Sequence, residues 1–93
     1  MNDKGKIWMD GNFVEWNNAK IHILTHAMHY GTAVFEGIRC YDTKNGPAIF
    51  RLEDHVRRLT NSCKMYHMTL QFSEKDLADA IVETIRVNNV KHC

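Results

Sequence analysis

A chain of 93 residues has room for one small domain and no more. With 44% hydrophobic and 25% charged residues it is a globular rather than a disordered sequence. A formal net charge of +1 excludes long-range attraction to nucleic acid or a membrane surface, and no segment has the length to cross a bilayer.

The opening residues 1–6 lead into no long apolar run, which argues against a secretory signal. Residues 6–9 and 12–16 read as two short strands joined by Asp10-Gly11, a two-residue hairpin signal of the type I′ kind. Trp8 and Trp16 fall in this hairpin and are expected to pack on its sheet. Asn17-Asn18 marks a turn, and the alternation over 20–24 predicts a third strand. Thr25 is placed to cap a short helical turn over 26–30, which Gly31 ends.

The stretch from Tyr30 begins with a turn, Gly31 supplying a flexible entry, and is expected to continue as a strand to about Asp42. Phe35, Gly37, Arg39 and Tyr41 would share one face of it, and Val34, Glu36, Ile38 and Cys40 the other. The dense turn cluster 42–47 then returns the chain as a strand over 48–51, a hairpin partner to the first. A helix is predicted over 52–66, with Leu52, Val56, Leu59, Cys63 and Tyr66 as its apolar stripe. Ser73 and Asp76 form a capping box that opens a second helix to about Val87, with Leu77, Ile81 and Ile85 inward and Asn88-Asn89 as a left-handed stop. The order of strands, hairpin and two helices predicts an α+β fold, an antiparallel sheet with a long hairpin covered on one face by helices.

The face carrying Phe35, Gly37, Arg39 and Tyr41 is too mixed for a core and too aromatic for a solvent face. It reads as one wall of a ligand site, with Gly37 leaving room for an approach to the backbone. On the first long helix, Arg58 shares a face with His55 and Ser62, and Arg51 lies one step back. A guanidinium beside an imidazole and a hydroxyl suits an anion or phosphate clamp. A solvated basic face is the commoner outcome of such spacing.

His22, His26 and His29 share no regular element, and no carboxylate or thiolate nearby completes a set, so no metal is expected. Three cysteines, widely spaced and without a CxxC pair, argue against a disulfide framework and fit a reducing, cytoplasmic location. No nucleophile motif, P-loop or dinucleotide fingerprint is present.

The run from His26 to Tyr41, containing Phe35-Glu36-Gly37-Ile38-Arg39, closely resembles the front of branched-chain amino-acid aminotransferases, which are class IV (fold-type IV) enzymes using pyridoxal phosphate. The Trp8 to Trp16 hairpin, the Gly46-Pro47 turn and His55-Val56-Arg57-Arg58-Leu59 extend the resemblance over nearly the whole chain. It implies that Arg58 grips the phosphate of pyridoxal 5′-phosphate. It places Phe35, Gly37 and Arg39 at the substrate pocket, Phe35 against a branched side chain and Arg39 in a polar network tolerating the carboxylate of glutamate. Tyr30 would reach into the neighbouring subunit's site, which implies a homodimer. The implied reaction exchanges an amino group between leucine, isoleucine or valine and 2-oxoglutarate, in two half-reactions through pyridoxamine phosphate.

The family's Schiff-base lysine has no counterpart here; neither Lys64 nor Lys75 matches it. Residues 1–93 are therefore expected to be the N-terminal small domain of such an enzyme, truncated before its catalytic second domain and inactive alone. Two alternatives stay open. One is a related class IV enzyme, a D-amino-acid transaminase or an aminodeoxychorismate lyase. The other is a freestanding non-catalytic module for anion binding or dimerisation, using Arg58 and the Phe35 face.

Overall fold

The computed structural model describes residues 4–93; residues 1–3, the start of the segment weighed as a secretory signal, lie outside the described residues. The chain divides into two compact units, one ending at Ala33 and one spanning Val34–Cys93.

In the first unit β1 (Lys6–Met9) pairs antiparallel with β2 (Asn12–Glu15), Ile7 opposite Val14 and Trp8 opposite Phe13. Asp10 and Gly11 both take positive φ, 51° and 96°, as a type I′ turn requires. Lys6 and Glu15 close the open end as an ion pair. Trp8 and Trp16 are both half-buried, but β2 stops at Glu15, and Trp16–Asn18 turn through a short 3₁₀ helix.

The third strand expected over 20–24 does not form. The Leu24 N–H donates to Nδ1 of His22 at 3.0 Å, and the Thr25 N–H donates to the His22 carbonyl at 2.9 Å. Side-chain and backbone acceptors on one histidine bend the segment into a turn, where alternation alone reads as extended. Helix α1 (His26–Tyr30) follows, with Thr25 at the N-cap position but making no side-chain cap bond. Gly31, at φ 69°, ends it by donating its N–H to the Ala27 carbonyl at 2.9 Å.

In the second unit, sheet pairing begins only at Cys40. β3 (Cys40–Thr43) pairs antiparallel with β4 (Gly46–Ile49) around Lys44-Asn45. Thr43 fastens the turn, its hydroxyl donating to the Gly46 carbonyl at 2.6 Å and accepting from the Asn45 N–H at 3.2 Å. β4 starts two residues earlier than expected and includes Pro47, which faces Asp42. The Phe50 N–H donates to the Arg39 carbonyl across this ladder, so by alternation the Asp42–Pro47 pair is one that needs no N–H.

Residues 32–38 are not strand, because among the described residues they make no backbone hydrogen bond to a second segment; pairing begins only where the Arg39 carbonyl accepts from Phe50. They keep the two-residue alternation: Val34, Glu36 and Ile38 are half-buried, while Phe35, Gly37 and Arg39 are exposed. An extended chain keeps its period of two without a ladder.

Helix α2 (Leu52–Met65) buries Val56 and Cys63 and half-buries Leu52 and Leu59, four of the five stripe positions. Tyr66 falls past its end and is exposed. There the chain closes a Schellman motif: the His67 N–H donates to the Lys64 carbonyl and the Met68 N–H to the Cys63 carbonyl, with His67 left-handed at φ 56°. Helix α3 (Glu74–Val87) opens on the expected capping box, Ser73 Oγ accepting from the Asp76 N–H at 3.0 Å and Asp76 accepting from the Ser73 N–H at 3.1 Å. Leu77, Ile81 and Ile85 are half-buried, and Asn89 takes the left-handed conformation that ends the helix.

The α+β class is as expected, with a difference in the sheet. The strands form two separate two-stranded ladders rather than one. The fully buried centre of the second unit is small: Cys40, Val56 and Cys63. No helix of the described residues is long and apolar enough to cross a membrane.

Candidate functional site

The chemistry of the second unit gathers on Glu36. Its side chain is 7% exposed although it lies on a half-buried apolar face between Val34 and Ile38. A carboxylate so enclosed needs partners. It has two, both one helical turn apart on α2. Arg58 donates Nε–H to Oε2 and Nη2–H to Oε1, both at 2.7 Å. His55 Nδ1 meets Oε1 at 2.8 Å. The carboxylate is covered by these partners rather than by depth in the core. The Arg58 hydrogen bonds, then the His55 hydrogen bond, pull the Glu36 carboxyl from its ordinary 4.5 down to about 2, against the opposing effect of desolvation. Its own hydrogen bonds to Glu36 hold the Arg58 guanidinium further up.

This side-on grip leaves one N–H of Nη2 and both of Nη1 unshared. The Arg58 side chain is 67% exposed, so that outer edge is open to an approaching anion. It borders a depression of about 450 Å³ lined by Phe50, Arg51, Asp54, His55 and Arg58. Arg51 is already committed to Asp54 at 2.8 Å. Ser62, expected on the same face, takes no part among the described hydrogen bonds. A larger open groove of about 600 Å³ between β4 and α3 is lined by Pro47, Ile49, Leu52, Val82, Ile85, Arg86 and their neighbours. Apart from Arg86 it carries no charged group, so of these two the depression beside Arg58 is the chemical candidate.

The structure thus brings Arg58 and His55 together around Glu36. Phe35, Gly37 and Arg39 lie on the alternate, exposed side of the same stretch, and Phe35 is 87% exposed. A side chain added at Gly37 would meet nothing within 4 Å. Tyr41 continues this face, its ring edge-on to Phe50 with centroids 6.2 Å apart. Tyr30 belongs to the first unit, where it is exposed and its ring lies 4.6 Å from that of His26. Among the described residues no group of three or more His, Cys, Asp or Glu side chains could hold a metal ion.

Sequence reasoning passed over Glu36. The signal was present: it is a lone carboxylate on the apolar side of an alternating stretch, and such a group must find a cation.

Comparison with known proteins gives this arrangement a family. The family model described as amino-transferase class IV matches residues 33–93. The chain is 48% identical over 84 residues to the branched-chain-amino-acid aminotransferase of Salmonella typhimurium, covering 90% of this chain and 27% of that protein. Among solved structures, the branched-chain amino acid aminotransferase of Escherichia coli superposes with a TM-score of 0.93 at 45% identity, over 96% of this chain and 29% of that one. A branched-chain amino acid aminotransferase from T.th., complexed with N-(5′-phosphopyridoxyl)-L-glutamate, gives 0.94 at 51% identity, over 97% of this chain and 30% of that one. The chain spans about a third or less of the proteins it matches. With the family model matched over most of its length, this chain belongs to the class IV amino-transferases.

Proposed function

We propose that this chain is the N-terminal small domain of a branched-chain amino-acid aminotransferase and supplies the anchor for the phosphate of pyridoxal 5′-phosphate. The observation that carries the reading is Arg58, locked side-on by Glu36, with N–H groups left unshared and its side chain among those lining the depression. The donor set fits a phosphate. A guanidinium offers paired donors at the spacing of phosphate oxygens, and Glu36 fixes its plane in advance. Bound pyridoxal 5′-phosphate supplies the carbonyl and the electron sink that let an amino group be exchanged.

The remaining roles belong to the exposed face. Phe35 offers apolar surface to the side chain of leucine, isoleucine or valine. Gly37 keeps the backbone open to the substrate, and Arg39 adds a donor for the second carboxylate of glutamate or 2-oxoglutarate. Tyr30 serves the site of a partner subunit in a cytoplasmic homodimer. Identity of 48% over 84 residues to a branched-chain-amino-acid aminotransferase supports that assignment over a D-amino-acid transaminase or an aminodeoxychorismate lyase.

No lysine lines the depression, and Lys75 is engaged with Asp79 at 2.6 Å. The chain by itself therefore anchors without attaching, and has no transaminase activity. Borohydride reduction of the 93-residue chain with pyridoxal phosphate tests this; the expected result is no stoichiometric adduct at a single lysine. Saturable labelling of one lysine would overturn it. For a protein in which these residues are followed by a second domain, amino-group transfer from leucine should exceed that from D-alanine and from aromatic amino acids. Preference for D-alanine would move the assignment to another class IV activity.

A further inference from the structure

Cys40 and Cys93 are far apart in sequence, and nothing in their spacing links them. The fold sets them face to face. The Cys40 N–H donates to the Cys93 carbonyl at 2.9 Å, and the Cys93 N–H donates to the Cys40 carbonyl at 3.0 Å. This reciprocal exchange is the hydrogen-bonded pair of an antiparallel ladder. It forms because Cys40, opposite Ile49 on β4, turns its own N–H and carbonyl away from β4 and towards the other edge of β3. Residues paired in this way lie about 5.5 Å apart at Cα, inside the range of about 4.4–6.8 Å that a disulfide spans. Directly opposed residues project their side chains to the same side of the ladder.

The thiol of Cys40 follows this geometry. It is buried and leans over the segment leading to Cys93, its Sγ 3.8 Å from the Lys91 carbonyl. Burial, and then the neighbouring Cys93, push that thiol up from its ordinary value. Cys93 is exposed, and all three cysteines are free thiols. Cys63, the third, is buried on the inner stripe of α2.

We propose that in this 93-residue chain Cys40 and Cys93 form an oxidative modification site, closed by exchange with a low-molecular-weight disulfide such as oxidised glutathione. Exposed Cys93 loses its proton to solvent, and its thiolate attacks one glutathione sulfur. A Cys93–glutathione bond forms, the glutathione S–S bond breaks, and the first glutathione thiolate leaves and takes up a proton. The Cys40 thiol then loses its proton, and its thiolate attacks the Cys93 sulfur, forming the Cys40–Cys93 bond and expelling the second glutathione. Two protein thiols are oxidised and one glutathione disulfide is reduced to two thiols. Because Cys40 is protonated and covered, the first attack belongs to Cys93 and the resolving step to Cys40. The product ties residue 93 to β3 and closes the loop that contains α2 and α3, which restricts the unfolded chain.

The test exposes the native chain to oxidised glutathione, then unfolds it and alkylates the remaining thiols for mass spectrometry. The expected product is a monomer with no retained glutathione and a single alkylated cysteine, Cys63. Its melting temperature should rise and return to the starting value on treatment with a thiol reductant. Cys40→Ser should retain glutathione on Cys93, and Cys93→Ser, an exposed change that spares the core, should leave Cys40 reduced. Glutathione retained on Cys93 of the unaltered chain with Cys40 still alkylated would overturn the proposal. So would disulfide-linked dimers through Cys93, or oxidation of Cys40 at the same rate in Cys93→Ser.

Discussion

Removing the Arg58 guanidinium should be read first at the carboxyl of Glu36. In the native chain that carboxyl titrates near 2 rather than 4.5, chiefly because Arg58 donates two hydrogen bonds to it, with His55 second. Arg58→Ala deletes the larger cause and leaves the smaller, so the midpoint should climb from about 2 towards 4.5 without reaching it. The sign of the stability effect follows by linkage. A carboxyl depressed on folding contributes stability that is present in full above its unfolded value of 4.5. It loses that contribution as pH falls towards the folded value of about 2. The native chain should therefore show an acid-labile component between these limits, amounting to at most one proton. The variant should be less stable at neutral pH, flatter through this window, and converge on the native chain near its lower end. The assay is a pH titration of the Glu36 side-chain carboxyl carbon by NMR, paired with urea denaturation at several pH values. Arg58→Lys should recover part of the depression through charge but not all of it, since an ammonium cannot reproduce the side-on fork. A Glu36 midpoint that does not move in Arg58→Ala would refute the reasoning.

Other expectations follow from single contacts. Gly37→Ala should stabilise the chain by about 0.4–1 kcal/mol in chemical denaturation, because the added methyl meets nothing and the unfolded chain loses freedom; a loss of stability would mean the site is less open than described. Ser73→Ala removes one half of the capping box and should cost about 1 kcal/mol in the same assay, with the loss of helicity confined to the start of α3. His67→Gly should gain roughly 0.5–1 kcal/mol, since a non-glycine residue holds the left-handed position of the Schellman motif; an unchanged denaturation midpoint would show that the imidazole compensates through contacts elsewhere.

Where a signal was local, the sequence carried it. Asp10-Gly11 specified its turn because two positive φ angles in succession are available to few residue pairs. The Ser73–Asp76 box started α3 because its side chains satisfy N–H groups that have no acceptor within the helix. The stripe on α2 was readable to Cys63, and it failed at Tyr66 because periodicity carries no information about a helix end set by a left-handed residue. The segment 20–24 misled for a related reason: alternation cannot register a histidine side chain competing for the backbone. Arg58 was legible as a cation at the edge of the buried stripe, and the resemblance supplied an anion for it to hold. Its holder was not legible as such, because Glu36 lies in a different element and reaches α2 only once the extended stretch has docked.

Residue order alone settled the α+β class, the two helices with most of their inward faces, the first hairpin turn, and the two sides of the stretch from Val34 to Tyr41. All of these depend on interactions between residues a few positions apart, where sequence distance and spatial distance are nearly the same. Tertiary structure alone decided that Glu36 grips Arg58 and His55, that 32–38 runs without a ladder, and that Cys40 faces Cys93. Each of those depends on which backbone segments come to lie side by side, and that is a property of packing the whole unit around Cys40, Val56 and Cys63.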